Sequence, residues 1–142
     1  MSLIGRRHAL LATGAAVLAG PARATPVEVA AEIAKVTRGT VLKPGQVKLD
    51  LAQMVENGNA VGVTVSAEPP AGTRVASLHL FAEQNPNPEV FHATIGPAGL
   101  PRLATRIRLA TSQQVIAVAV MEDGTCWSDA VTVMVTLAAC LE

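Results

Sequence analysis

From residue 47 onward, apolar and polar residues trade places at almost every step. Val47, Leu49 and Leu51 alternate with Lys48 and Asp50, and Val61, Val63 and Val65 share one face of the next run. Leu103, Thr105, Ile107 and Leu109 then point one way while Arg106 and Arg108 point to water. At the end Val131, Val133, Val135 and Leu137 line one face, with Thr132, Met134 and Thr136 on the other. A period of two predicts strands with one buried face. Residues 115–121 are apolar on both faces, the signature of a central strand. Residues 73–82 read as another strand and residues 90–95 as a short edge strand. Turn-forming clusters separate the runs: Asn57-Gly58, Pro69-Pro70-Ala71-Gly72, Asn85-Pro86-Asn87-Pro88, Gly96-Pro97-Ala98-Gly99 and Glu122-Asp123-Gly124. About seven strands at this spacing predict an all-β chain, an immunoglobulin-like antiparallel β-sandwich. The Cys-Trp-Cys pattern of antibody domains is missing.

Only one stretch of the region after residue 24 has helical spacing. Thr25 stands as N-cap, Pro26 at the first position and Glu28 at the third, and Val29, Ile33 and Val36 follow. This predicts a short N-terminal helix that stops before Gly39 and packs as a lid on one edge of the domain.

Residues 1–24 have the order of an export signal: Arg6 and Arg7, an apolar run over residues 9–20, and the cleavage motif Ala22-Arg23-Ala24. The paired arginines followed by His8, Ala9, Leu10 and Leu11 fit a twin-arginine signal, with an ordinary Sec signal that happens to carry two arginines as the alternative; either is expected to place the protein in the periplasm. The expected division is therefore a signal peptide over 1–24, a sandwich domain over 25–137 and a C-terminal arm over 138–142.

Composition narrows the function classes. The chain has 142 residues, enough for one domain with a real core. With two Phe, one Trp and no Tyr, that core must be built from Val, Leu, Ile and Ala. Lys and Arg number 11 and so do Asp and Glu, so no basic excess argues for nucleic acid. Cleavage after Ala24 would remove Arg6, Arg7 and Arg23, leaving 8 basic against 11 acidic residues and a net charge of −3.

Recognisable catalytic machinery is sparse. There is no phosphate-binding glycine loop, no CxxC pair, no HExxH helix and no nucleophile elbow. His79 alternates with Val75, Ser77 and Phe81 and reads as a sheet-face residue; His92 reads as a surface residue. A blue-copper site wants a His and a Met close behind its cysteine, and Cys140 is followed by Leu141 and Glu142. These patterns assign no catalytic residue, no cofactor and no metal. Cys126 reads as a small, partly buried residue packed under Trp127. A strand of about ten residues between Cys126 and Cys140 holds their ends roughly 33 Å apart, while a disulfide needs Cα atoms within about 7 Å. Both thiols are thus expected free.

Cys140 is the residue in need of an account. Ala138, Ala139, Cys140, Leu141 and Glu142 extend off the last strand. At about 3.3 Å per residue, the thiol would project roughly 10 Å past Leu137. A small-residue tether with an exposed thiol suits a covalent carrier; a surface thiol of no consequence and a truncated terminus fit the residues equally well.

The stretches VKLDL, ENGNAVGVTVS, SLHLFAEQNPNPEVFHATI, ATRIRLATSQQVIAVAVMEDGTCWSD and VTLAAC together resemble the SoxY family, carriers of periplasmic sulfur oxidation. The resemblance implies an immunoglobulin-like sandwich that pairs with a SoxZ-like subunit as a heterodimer. It also implies a terminal-arm cysteine, here Cys140, that covalently holds sulfur intermediates and presents them to sulfur-oxidation enzymes. The family's arm reads Gly-Gly-Cys-Gly-Gly; this one reads Ala-Ala-Cys-Leu-Glu and resembles a subgroup with an AACIE-type ending. Alanine flanks stiffen the arm relative to glycine, Leu141 enlarges its tip and Glu142 adds negative charge beside the thiol. The departure leaves the cargo open between thiosulfate and another sulfur compound. The resemblance makes the chain a carrier subunit rather than an enzyme. A different class is an immunoglobulin-like adaptor module that acts through a sheet surface, with Cys140 used for redox linkage or dimerisation. The apolar second face of residues 115–121, with Met134, exceeds what Val29, Ile33 and Val36 would cover. A second subunit is therefore expected there, SoxZ-like by the resemblance, or a homodimer.

Overall fold

The computed structural model of the chain describes residues 24–140. The expected signal residues Arg6 and Arg7, and the arm residues Leu141 and Glu142, lie outside them. The helix α1 spans Pro26–Thr37. Its start is the one the local chemistry dictates. The Thr25 hydroxyl accepts from the Glu28 N–H while the Glu28 carboxylate accepts from the Thr25 N–H at 2.6 Å. It ends at Arg38, in the left-handed region at φ 53°, followed by Gly39 at φ 77°.

Nine strands follow: β1 Leu42–Pro44, β2 Val47–Leu51, β3 Met54–Asn57, β4 Val61–Ala67, β5 Val75–Ala82, β6 Glu89–Thr94, β7 Arg102–Ile107, β8 Gln113–Met121 and β9 Cys126–Leu137. One sheet has the order β1-β9-β8-β5-β6, with β3 also on β9; the other is β2-β4-β7. This is the expected immunoglobulin-like sandwich, with the alternating strands in place and β6 at an edge. Two strands were not anticipated. β1 and β3 are short and pair parallel to β9, along its two ends. Between them the chain crosses to the other sheet as β2. There the Asp129 carboxylate accepts from the open-edge N–H of Leu49 at 2.9 Å, tying the two sheets. Along β7 the inward set is thinner than the pattern predicts. Ile107 and Leu109 are buried and Leu103 is half-buried, while Thr105 is exposed, because β7 is an edge strand.

β8 lies between β5 and β9 and is packed on both faces. Val115, Ala117, Ala119 and Met121 face the second sheet within the main core. Val118 faces the other way, into a cluster with Ala24, Val29 and Phe81, flanked by Ile33, Val36, Leu42, Ile116 and Val120. This corrects the expectation that the helix supplies too little cover. Phe81 and Val118 are fully buried beneath it, and Val29 is 2% exposed. Val27, Val41 and Leu100 are exposed singly elsewhere, and two apolar residues are exposed side by side further along β9: Met54 and Met134 are neighbours in register and 76% and 60% exposed.

Phe81 fills the space between helix and sheet, so Phe81→Ala should cost about 3–5 kcal/mol by the cavity it leaves. Urea unfolding of the described domain checks the magnitude. A change below about 0.5 kcal/mol, the range of surface substitutions, would show that the helix does not depend on it.

Candidate functional site

Cys126 opens β9 and Cys140 follows its last residue, Leu137, by three positions; both thiols are free. A strand of this length spans roughly 36 Å, so no bridge can join them, as the spacing implied. Cys126 is 1% exposed. It does not pack under Trp127, as expected from their adjacency: neighbours on a strand point to opposite faces. Cys126 shares its register with Val120 on one side and Leu42 on the other, on the helix-covered face. Trp127 points into the sandwich beside Ala119, with the Lys43 ammonium 5.4 Å from its ring centre. The Cys126 Sγ lies 3.6 Å from the Gly124 carbonyl. Burial pushes this thiol up, and the Asp123 carboxylate adds to the shift. Asp123 is itself held below the usual carboxylate range by the Thr125 hydroxyl and N–H, which it accepts at 2.6 and 2.9 Å. Cys126 is therefore a protonated, covered thiol at neutral pH.

Cys140 is exposed. What precedes it is held more firmly than a free tether. β8 accompanies β9 only as far as the Gln113–Val133 pair. Beyond that point β9 runs on between the β3–β4 turn and the β7–β8 loop. Met134 donates its N–H to the Gln53 carbonyl at 2.8 Å, and Val135 donates to the Ser112 hydroxyl at 2.8 Å. Gly58 donates to the Leu137 carbonyl at 2.7 Å, and Ala139 donates to the Leu109 carbonyl at 3.0 Å. Leu109 in turn donates to the Gly58 carbonyl at 2.9 Å, closing the set. This corrects the expected reach of the arm. Ala138 lies exposed between two bonded residues, Ala139 is tied to the domain, and Cys140 is the first residue beyond the last bond.

The loop that holds Ala139 is itself set by buried polar groups. The Asn85 carboxamide accepts from the Ala110 N–H and the Gln113 side chain, both at 3.0 Å, and donates to the Arg108 carbonyl at 2.8 Å. The Gln113 carbonyl oxygen accepts from the Gln84 N–H at 2.9 Å. Asn85 and Gln113 are 5% and 6% exposed, and such groups hold one geometry when every partner is in place. Sequence reasoning missed this support. Asn57-Gly58 and Asn85-Pro86 read as turns, which they are, but their partners lie far along the chain and involve backbone atoms that no pattern of side chains reports.

The histidines do other work. His79, on β5, contacts the Glu89 carboxylate at 2.7 Å through Nδ1 and the Ser77 hydroxyl at 2.9 Å through Nε2. His92 stacks on it at 5.8 Å between ring centres, with its side chain 66% exposed on β6. Both are sheet-face residues at the β5–β6 edge, the placement that alternation predicts. Among the described residues no three His, Cys, Asp or Glu side chains gather to hold a metal ion, and no helix is long and apolar enough to cross a membrane.

One family model matches the chain over residues 33–140, that of the sulfur oxidation protein SoxY. The match takes in most of the domain and reaches Cys140. The chain is 21% identical in sequence to the structure of the sulfur carrier protein SoxY from Chlorobium limicola f thiosulfatophilum, with a TM-score of 0.68, covering 78% of this chain and 98% of that one. It is also similar to a superoxide reductase (neelaredoxin) from Ignicoccus hospitalis, at 20% identity and a TM-score of 0.55 over 72% of this chain and 85% of that one. A putative superoxide reductase from Thermotoga maritima has 14% identity and a TM-score of 0.56 over 66% and 93%. At these identities the structural likenesses establish a shared fold. No curated protein matches.

The contrast between the thiols is directly measurable. A maleimide at pH 7 should label one cysteine of the native protein, Cys140, and two after denaturation. Because burial and the Asp123 carboxylate push the Cys126 thiol up, Cys126 should stay unlabelled in the native protein at mildly alkaline pH as well. Two labels on the native protein at pH 7 would contradict the burial of Cys126.

Proposed function

The chain belongs to the SoxY family, and from that premise we propose that it is a non-catalytic carrier that holds a sulfur intermediate on Cys140. The observation that carries the reading is the exposed thiol placed one residue beyond a firmly held strand end. A carrier needs a nucleophile open to other proteins and a domain that stays folded while cargo changes. Joining the Cys140 sulfur to a sulfinate sulfur, or to the outer sulfur of a thiosulfate-type anion, forms an S–S bond, loses the thiol proton and releases two electrons. Loading from a free thiol therefore requires a partner enzyme that accepts electrons, and release follows when the cargo sulfur is attacked by water or another thiol. The protein named for its carrier role in Chlorobium shares this fold; the cargo of this chain is proposed only as a sulfur compound.

The SoxZ-like partner belongs to the same proposal. Its support has moved from β8, which the helix covers, to the exposed Met54–Met134 pair on the β3–β9 edge, next to the strand end that leads to Cys140. Export through the twin-arginine route and a periplasmic location rest on Arg6, Arg7 and the Ala22-Arg23-Ala24 motif. An adaptor acting through its sheet surface is the second reading, and the same exposed Met pair favours it.

Intact-mass measurement separates the two. Protein isolated from sulfur-oxidising cells should carry reductant-sensitive additions on the peptide containing Cys140, and Cys140→Ser should lose all of them with an unchanged melting temperature. Full sulfur oxidation by a Cys140→Ser strain would refute the carrier reading in favour of the adaptor.

Replacing Arg6 and Arg7 by Lys should stop export if the signal is of the twin-arginine kind. Undiminished periplasmic protein from the double variant would point to the general secretory route.

A further inference from the structure

Gly58 is a buried residue in a turn whose neighbours Asn57 and Asn59 are exposed. Its backbone angle does not demand glycine; the space does. A Cβ built on Gly58 would lie 2.5 Å from the Leu109 carbonyl oxygen, 3.0 Å from the Ala139 nitrogen and 3.1 Å from a Val135 methyl. Two of these are backbone atoms, so no side chain can swing aside to make room. They are also the acceptor and donor of the bond that ties Ala139 to the domain. That bond lies directly over the bare Cα of Gly58. The same residue donates to the Leu137 carbonyl and accepts from the Leu109 N–H, so the end of β9 and the β7–β8 loop both meet the β3–β4 turn on it.

We propose that Gly58 is a positioning residue for the Cys140 thiol: its missing side chain lets the β7–β8 loop and the strand end close over it, latching residues 137–139 to the domain. The proposal rests on the carrier reading for its use and on geometry for its existence. Latched, the thiol extends from the domain by little more than its own residue. Released at Leu137, three residues at about 3.3 Å each extend the reach to roughly 10 Å. The latch thus sets how deep a partner's site can be, and a partner with a deep channel must first break the Gly58–Leu137 and Ala139–Leu109 bonds. Those bonds are few and lie at the end of the strand, where opening is least costly.

The test uses a nitroxide attached to Cys140 of the full domain; Cys126 is covered and needs no change. Gly58→Ala forces the bond over it apart. Ala139→Pro removes the donor and leaves Gly58 intact. Loss of a hydrogen bond of ordinary net strength corresponds to about a fivefold rise in the released population. Both variants should therefore show a mobile spectral component about fivefold larger than the wild type, at temperatures well below their melting points. A merely structural glycine would lower the melting temperature and leave the spectrum below it unchanged. Should Gly58→Ala not fold, Ala139→Pro alone decides. Unchanged mobility in the folded variant overturns the latch. The spectrum is recorded without cargo, so a failure of loading bears on the carrier reading and leaves this measurement standing.

Discussion

A strand that is apolar on both faces cannot be left with one cover, and β8 is such a strand. Val115, Ala117 and Ala119 are fully buried on one side and Val118 on the other. At about 25 cal/mol per Å² of apolar surface removed from water, each uncovered Val would forfeit roughly 1.5 kcal/mol or more. The second sheet supplies one cover and α1 the other. A helix of 12 residues is marginal alone, so α1 exists because β8 and β5 give it Phe81 and Val118 to pack on. Its capping box sets where it starts.

The second consequence of that layering is an overhang. β9 has 12 residues and β8 has 9, so the last turns of β9 lose their partner on that side. Unpaired strand groups are an invitation to other chains. Here the chain answers locally: β3 pairs along one edge, Ser112 takes the Val135 N–H, and Gly58 and Leu109 take the rest. The cost of this solution is the exposed Met54–Met134 pair, left where β3 lies outside the reach of α1. The overhang thus carries the chain outward to Cys140 and leaves two methionines uncovered beside it.

The sequence is readable where the physics is local. The capping box of Thr25 and Glu28, the alternation along β2, β4 and β9, and the doubly apolar β8 each declare themselves within a few residues. β1 and β3 do not. Leu42–Pro44 and Met54–Asn57 are mostly exposed and show no alternation; they are strands because β9 offers them an edge. Thr105 sits on the inward side of an alternating run and is exposed, since an edge strand need not be buried along its length. The hold on the arm is illegible for a related reason: the Ala139 N–H finds the Leu109 carbonyl through a turn and a loop that only the folded chain brings together. Cys126 and Trp127 show the limit of adjacency itself: neighbours in sequence, they serve opposite faces.

The fold is shared with superoxide reductases, so the sandwich does not by itself specify the chemistry. The chemistry is carried instead by how this chain treats its two thiols, one sealed under a helix and one set beyond a fastened strand end. The alanines beside Cys140 belong to that arrangement. Glycine at residues 138 and 139 would have more freedom to lose on being held, and replacing glycine by alanine where the backbone permits favours the ordered state by about 0.4–1 kcal/mol. Alanine keeps the N–H that bonds to Leu109, adds little bulk, and lowers the entropy lost on latching. An arm flanked by glycine would spend more of its time released against the same two hydrogen bonds. The flank composition and the bare Cα of Gly58 therefore act on one equilibrium from its two sides, the alanines by restricting the free arm and the glycine by making room for the bound one.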